Sequence, residues 1–161
     1  MIDEISLKII KILQNKARIP NVEVAREVGM APSAVLERIR KLEKQGFIDG
    51  YEVRLNARRF KRSLVGFIHV AVDGADDEAE VAEALAEIDE IQEVHFIAGE
   101  DGYLVKARVA GPRELDRLVR TQIRVIPGVG TTRTSVVLSS IKETARIPID
   151  DIDLTNSQKG S

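Results

Sequence analysis

At Gly46 the hydrophobic period of this chain changes, and that change constrains the fold more than any other feature. Before it, apolar residues recur at helical spacing; from Ser63 onward, runs that alternate are interleaved with runs that do not. Asp3 suits an N-cap, and Ile5, Ile9, Ile12 and Leu13 keep helical spacing to about Asn15. Arg18-Ile19-Pro20 breaks the pattern. Asn21 is then expected to cap a short second helix with Val24, Ala25 and Val28 inward, and Gly29 permits a tight exit. The stretch from Met30 to Gly46 reads as a third helix. Pro32 fits the first helical position, Gly46 fits the left-handed C′ position, and Val35, Ile39 and Leu42 form one narrow apolar stripe. Helix, short glycine-containing turn, helix is the helix-turn-helix arrangement, whose second member can lie in a DNA major groove.

Around the rest of the third helix stand Ser33, Ala34, Glu37, Arg38, Arg40, Lys41 and Lys44. Taken alone, that face is equally an ordinary solvated surface. As a reading face, Ser33, Ala34, Glu37, Arg38 and Lys41 would reach base edges or adjacent phosphates, while Arg40 and Lys44 would hold backbone; Asn21 completes the candidate set. Charge favours this use. Residues 1–62 hold 14 Lys/Arg against 8 Asp/Glu, a net of +6, and residues 63–161 hold 10 against 18, a net of −8, which together give the chain's −2. A basic front can meet phosphates that an acidic back repels.

After Gly46, Asp49-Gly50 separates short β-prone pieces across Phe47–Leu55, where a two-stranded wing or a linking strand is expected. Arg54, Arg58, Arg59, Lys61 and Arg62 come next as a basic run, either phosphate contacts that read no sequence or a solvated hinge. The remainder alternates strand, helix, strand, strand, helix, strand. The strands are expected over residues 64–72, 94–98, 103–109 and 131–139, and the first helix over Asp76 to Asp89, with Val81, Leu85 and Ile88 inward. Pro112 opens the second helix, with Leu115, Leu118, Val119 and Ile123 buried, and Pro127-Gly128 stops it. This β-α-β-β-α-β order is the ferredoxin-like plan, a four-stranded antiparallel sheet with both helices on one face. The uncovered face is expected to pack on a second copy, and the resulting dimer would pair two reading helices.

The expected class is therefore α+β. A winged helix-turn-helix domain occupies residues 1–50, a linker strand or hinge 51–62, and a βαββαβ sensing and oligomerisation domain 63–142. The tail, 143–161, adds an edge strand over Ile147–Leu154 or stays irregular, with Asn156 to Ser161 disordered.

Lack of cysteine removes disulfides, thiolate metal sites and cysteine nucleophiles, and fits a reducing cytoplasm. No apolar run reaches membrane-spanning length, so no membrane association is expected. The two histidines, His69 and His95, share no metal-like spacing with a carboxylate and read as structural residues on strands. Gly128-Val129-Gly130 follows a helix and enters a strand, the wrong order for a phosphate loop. Neither a catalytic constellation nor a cofactor is expected.

Several ordered stretches resemble the Lrp/AsnC family of transcription regulators. They are Asn21 to Gly29, Arg38-Ile39-Arg40-Lys41-Leu42-Glu43, Gly46-Phe47-Ile48 with Gly50-Tyr51, Pro127-Gly128-Val129 and Thr132-Arg133-Thr134. The resemblance runs from Ile2 to about Lys142. It implies homodimers, often joined into octamers, that bind double-stranded promoter DNA and respond to a small-molecule effector, usually an amino acid. It places that effector between sensing domains of neighbouring dimers, near the turn Gly99-Glu100-Asp101-Gly102-Tyr103, with Thr132 and Thr134 as hydroxyl donors or as plain strand residues. The family's acidic residue before the aromatic is Gly102 here, and Asp101 stands one position earlier. Siroheme decarboxylases share the architecture. That alternative would need His95, Arg108 and Tyr103 gathered around an anionic tetrapyrrole. A sensing module that no longer binds DNA is a third reading, and the basic third helix speaks against both.

Overall fold

A computed structural model describes residues 2–74, 78–99 and 101–149 and divides the chain into two compact units. The first comprises residues up to Arg54 together with the segment from Glu143; the second runs from Leu55 to Lys142.

The first unit is three helices: α1 (Glu4–Asn15), α2 (Asn21–Val28) and α3 (Pro32–Lys44). Asp3 caps α1 by accepting the Ser6 N–H at 2.8 Å. Asn21 does not cap α2. Pro20 occupies that position at φ −62° and ψ 142°, which leaves Asn21 as the first helical residue and the cap without a side-chain hydrogen bond. The pyrrolidine ring holds Pro20 extended and so fixes the helix start one residue early. Gly46 ends α3 in the left-handed region (φ 72°), and the Phe47 N–H closes back on the Leu42 carbonyl, a Schellman ending. The core of this unit is Ile9, Leu13, Val24, Ala25, Val35, Ile39 and Leu42, with Ile2 and Leu7 also buried.

No strand forms over residues 47–55. Between Gly46 and the Asp49-Gly50 turn only Phe47 and Ile48 are available, too few to pair with residues 51–55. The Tyr51 hydroxyl instead donates to Glu43 Oε1 at 2.9 Å. Desolvation, reinforced by that carboxylate, pushes the phenol up to about 12. The tail does not add an edge strand within 143–149. The Ile147 N–H and carbonyl both bond the Gln14 side-chain amide, at 3.1 and 2.9 Å, and Ile149 packs on the helical core. Residues 150–161 lie outside the described residues.

The second unit is β1 (Leu64–Val72), α4 (Glu78–Ala86), β2 (Ile91–Phe96), β3 (Gly102–Val109), α5 (Pro112–Leu118), a π-type turn (Val119–Ile123) and β4 (Val129–Val136). The sheet is antiparallel with order β2-β3-β1-β4, the ferredoxin-like topology. The helix start expected at Asp76 falls outside the described residues, as do Asp77 and Glu100.

β2 begins at Ile91, three residues before the expected start. A bulge at Gln92 sets Ile91 opposite Ala107 and Glu93 opposite Lys106, so Ile91 and Val94 face the same side despite odd spacing. β4 also starts early, because Gly128 (φ 85°) turns the chain directly into pairing with Val72.

Register assigns side chains to faces. Ile68, Val70, Tyr103, Val105, Ala107 and Val109 line the helix-covered face with Val81, Leu85, Leu115, Leu118 and Ile123. Phe67, His69, Leu104, Lys106 and Arg108 point to the other face.

Gly102 sits at φ 139°, and a Cβ there would collide with the Val70 carbonyl oxygen, whereas Gly99 (φ 93°) opens on free space. Gly102→Ala should therefore lower the thermal midpoint well beyond Gly99→Ala, whose cost is the ordinary one of about 1–2 kcal/mol for a left-handed alanine. Equal losses in thermal melts of the two variants would contradict this register.

Candidate nucleic-acid interface and effector turn

Burial of Val35, Ile39 and Leu42 fixes the rotation of α3 about its axis and so decides which side chains face outward. Ser33, Glu37, Arg40, Lys41 and Lys44 are exposed, and Ala34 is half-buried. Arg40 Nη1 lies 3.1 Å from Glu37 Oε1, a surface pair that leaves both groups solvated. Ala31 caps α3 without a side-chain hydrogen bond, and the first turn carries no carboxylate. The free N–H groups and positive dipole end therefore stand unopposed, an arrangement suited to phosphate. Asn21 is half-buried in the first turn of α2.

Arg38 departs from the expected reading face. Its Nη1 donates to Asp3 Oδ2 at 2.5 Å and to Ser6 Oγ at 3.0 Å. The side chain is 30% exposed, and it ties α3 to the N-cap of α1. In helical order Arg38 lies three residues after Val35 and four before Leu42, on the border of the apolar stripe. That position is the signal that it belongs to the helix interface rather than the outer face. The Arg38 hydrogen bond, followed by those from Ser6, holds the Asp3 carboxyl far below the usual carboxylate range.

In the second unit, the expected effector residues fall into two groups. Gly99 and Asp101 are exposed in the β2–β3 turn, and Gly102 opens β3. Thr132 and Thr134 lie on the edge strand β4, half-buried and exposed respectively. Register puts Thr132, Val70 and Tyr103 in one cross-strand row, and Thr134, Ile68 and Val105 in the next. Tyr103 and Thr132 thus flank Val70, their backbones about 10 Å apart by strand spacing. The Tyr103 ring is buried, edge-on to Phe96 at 5.6 Å, and its hydroxyl donates to the Glu78 carbonyl at 3.1 Å. That phenol is committed to anchoring the start of α4, and burial raises its pKa.

His95 and Arg108 share the uncovered face, where His95 Nε2 lies 3.2 Å from Glu93 Oε2 and Arg108 Nε donates to Gln92 Oε1 at 2.9 Å. His95 is exposed rather than packed in the core. Tyr103 points to the opposite face, so the sheet itself separates the three residues a tetrapyrrole pocket would require. Lys106 Nζ donates to Glu93 Oε1 at 3.0 Å, and this bond leads the lowering of the Glu93 pKa. Among the described residues no group of three His, Asp or Glu side chains could hold a metal ion, and no helix is long and apolar enough to cross a membrane.

Residues 65–147 match the model of the Lrp/AsnC ligand-binding domain, and residues 2–49 match a winged helix-turn-helix DNA-binding model. The chain belongs to the Lrp/AsnC family. It is 39% identical over 150 residues to the leucine-responsive regulatory protein of Escherichia coli, covering 92% of each chain. A transcriptional regulator from Neisseria meningitidis, solved in complex with L-methionine, superposes with a TM-score of 0.87 at 29% identity, covering 92% of this chain and 97% of that one. A feast or famine regulatory protein of Mycobacterium tuberculosis, also complexed with L-methionine, gives 0.84 at 27%, covering 91% and 99%. This Lrp/AsnC chain is thus a transcription regulator of the DNA-binding helix-turn-helix type.

The Asp3–Arg38 pair gives a pH-dependent expectation. Because folding depresses the Asp3 pKa, its contribution is full above the unfolded value near 4 and fades as pH falls below that. Asp3→Ala and Arg38→Ala should each lower stability at pH 7 by about 1 kcal/mol, since the pair is partly solvated and Asp3 is also a cap. Denaturant titrations at pH 7 and pH 3 should show the Asp3→Ala deficit shrinking at the lower pH; a deficit independent of pH would refute the assignment.

Proposed function

We propose that this regulator reads double-stranded DNA with the outer face of α3 and works as a cytoplasmic homo-oligomer, a dimer or an octamer, under control of an amino acid or a related small molecule. The observation that carries the reading is the exposed set Ser33, Glu37, Arg40, Lys41 and Lys44 on a helix whose first turn lacks a carboxylate. Ser33, Ala34 and Glu37 are suited by size and polarity to base edges, Lys41 to base edge or phosphate, and Arg40 and Lys44 to phosphates, with Asn21 at the start of α2 beside the sugar-phosphate backbone. Arg38 supports them by fixing α3 rather than by touching DNA. The family's role as regulators supports a binding protein rather than an enzyme.

Dimerisation is supported by apolar surface left uncovered in one copy. Phe67 and Leu104 are only half-buried on the open sheet face, and Leu138 and Ile141 beyond β4 are 97% and 95% exposed. The effector reading is supported by the L-methionine bound in two similar structures. Gly99, Glu100, Asp101 and Gly102 would supply backbone groups and a carboxylate to the ligand's charged ends, with Thr132 and Thr134 as hydroxyl donors. Tyr103 would act through its backbone, since its hydroxyl is used within the fold.

Binding of the wild-type protein to a duplex carrying its own upstream region, measured against salt, tests the DNA reading. If Lys41 touches a phosphate, Lys41→Ala should flatten the slope of log K against log[salt] by about 0.9. If it touches a guanine, the same change should cost about 1–3 kcal/mol on specific sequence only. No change in either sinks the role of α3. Calorimetry against the twenty amino acids should register binding of an apolar one such as methionine; silence from all twenty retires the effector.

A further inference from the structure

Residues 56–62 form a single helical turn whose two ends are both closed by hydrogen bonds. Asn56 Oδ1 accepts the Arg58 N–H at 3.1 Å as an N-cap. At the other end the Arg62 N–H bonds the Ala57 carbonyl at 2.9 Å and the Lys61 N–H bonds the Arg58 carbonyl at 3.1 Å, the paired bonds of a Schellman motif. The turn is pinned within the second unit by Arg62, whose Nη1 lies 2.7 Å from Glu114 Oε2, the same oxygen that accepts the Ala110 N–H. Arg62 is therefore structural. Arg58, Arg59 and Lys61 are exposed, and none has an ion pair among the described residues.

A second, independent observation concerns the backbone. Lys61 is the only non-glycine residue with positive φ among those described, at 53°. It fills the left-handed C′ position, where glycine or asparagine is cheaper. A cation standing at a strained position points from the outlier to a function. The rest of this unit is acidic: residues 63–142 carry 14 Asp/Glu against 8 Lys/Arg. A tethered trio of cations at the head of an acidic unit fits a polyanion, and the closed turn leaves little backbone entropy to lose on binding.

We infer that Arg58, Arg59 and Lys61 form a second DNA-backbone site, outside the helix-turn-helix, that contacts duplex phosphates without reading sequence. This rests on the DNA-binding role proposed above and adds contacts to it. The expected signature is a salt dependence steeper than α3 alone would give.

The test uses the full-length protein and a long duplex of arbitrary sequence, with affinity measured from about 50 to 200 mM salt. Arg58→Gln with Arg59→Gln should flatten the slope by about 1.8, and adding Lys61→Asn, which suits the left-handed backbone, by about 2.7. A control with Arg113→Gln, Arg117→Gln and Arg124→Gln, three exposed cations elsewhere on the same unit, removes equal charge. Lys61→Gly alone separates function from structure: relief of strain should raise the thermal midpoint while the slope falls by about 0.9. The proposal is overturned by an unchanged slope in the turn variants, or by an equal fall in the control. It is also overturned if the turn variants instead change the oligomeric state in sedimentation, which would assign the cations to a second copy's acidic surface. A wild-type protein that binds no duplex at about 50 mM salt overturns the DNA reading as a whole. A slope that responds to Lys41→Ala but not to the turn variants overturns this inference alone.

Discussion

The rotational setting of α3 is the constraint on which the DNA-binding half depends. Three buried side chains, Val35, Ile39 and Leu42, each contribute about 1.5–3 kcal/mol of burial, far more than any exposed charge on the same helix. Hydrophobic packing therefore chooses the orientation, and the charged residues take the directions left over. Arg38 falls at the margin, close enough to α1 to reach Asp3 and Ser6, while Arg40, Lys41 and Lys44 point to solvent. Two arginines separated by one residue thus hold different jobs: Arg38 braces the helix and Arg40 is free to move with its solvated partner Glu37.

In the sheet unit the equivalent constraint is the alternation of the strand. β1 and β3 bury one set of side chains under α4 and α5 and present the other set outward, and a one-residue slip would exchange them. That alternation sends Tyr103 inward to the Glu78 carbonyl and keeps His95 and Arg108 on the far side. It also makes Gly102 obligatory. Where strand β3 begins, the Val70 carbonyl occupies the space a side chain would need, so an acidic residue cannot occupy position 102 on this backbone, and Asp101 in the exposed turn is the nearest carboxylate described there.

Much of this was legible in the sequence because it is written in local rules. The boundaries of α3 follow from Pro32 and Gly46, and β1 and β3 follow from alternation that keeps one register along their whole shared ladder. Legibility ends where one local rule meets a competing one. Asn21 is a good N-cap type, but Pro20 already holds the cap conformation. Ile91 and Val94 do not alternate because the bulge at Gln92 absorbs one residue. Long-range pairings leave no local trace at all: nothing near Gln14 announces that its amide will hold the main chain of Ile147, 133 residues away. The candidate site divides in the same way. The outward residues of α3 come straight from helical periodicity, whereas the engagement of Arg38 with Asp3 depends on how α1 and α3 pack.

The basic stretch ahead of β1 shows why spacing alone misleads about charge. As a sequence, Arg58, Arg59, Lys61 and Arg62 are one run of like charges, the kind that repels itself and stays extended. The capped turn converts that run into a small rigid body, because Asn56 and the left-handed Lys61 satisfy its ends and Glu114 neutralises one member. Repulsion among the remaining three is screened by solvent ions, while the backbone at Lys61 carries the strain of closing the turn. Such an arrangement is costly in the free protein and becomes favourable when counterions are exchanged for fixed phosphates, since release of those ions then drives association. The stability given up in the unbound state and the affinity gained in the bound one are two sides of the same placement of charge.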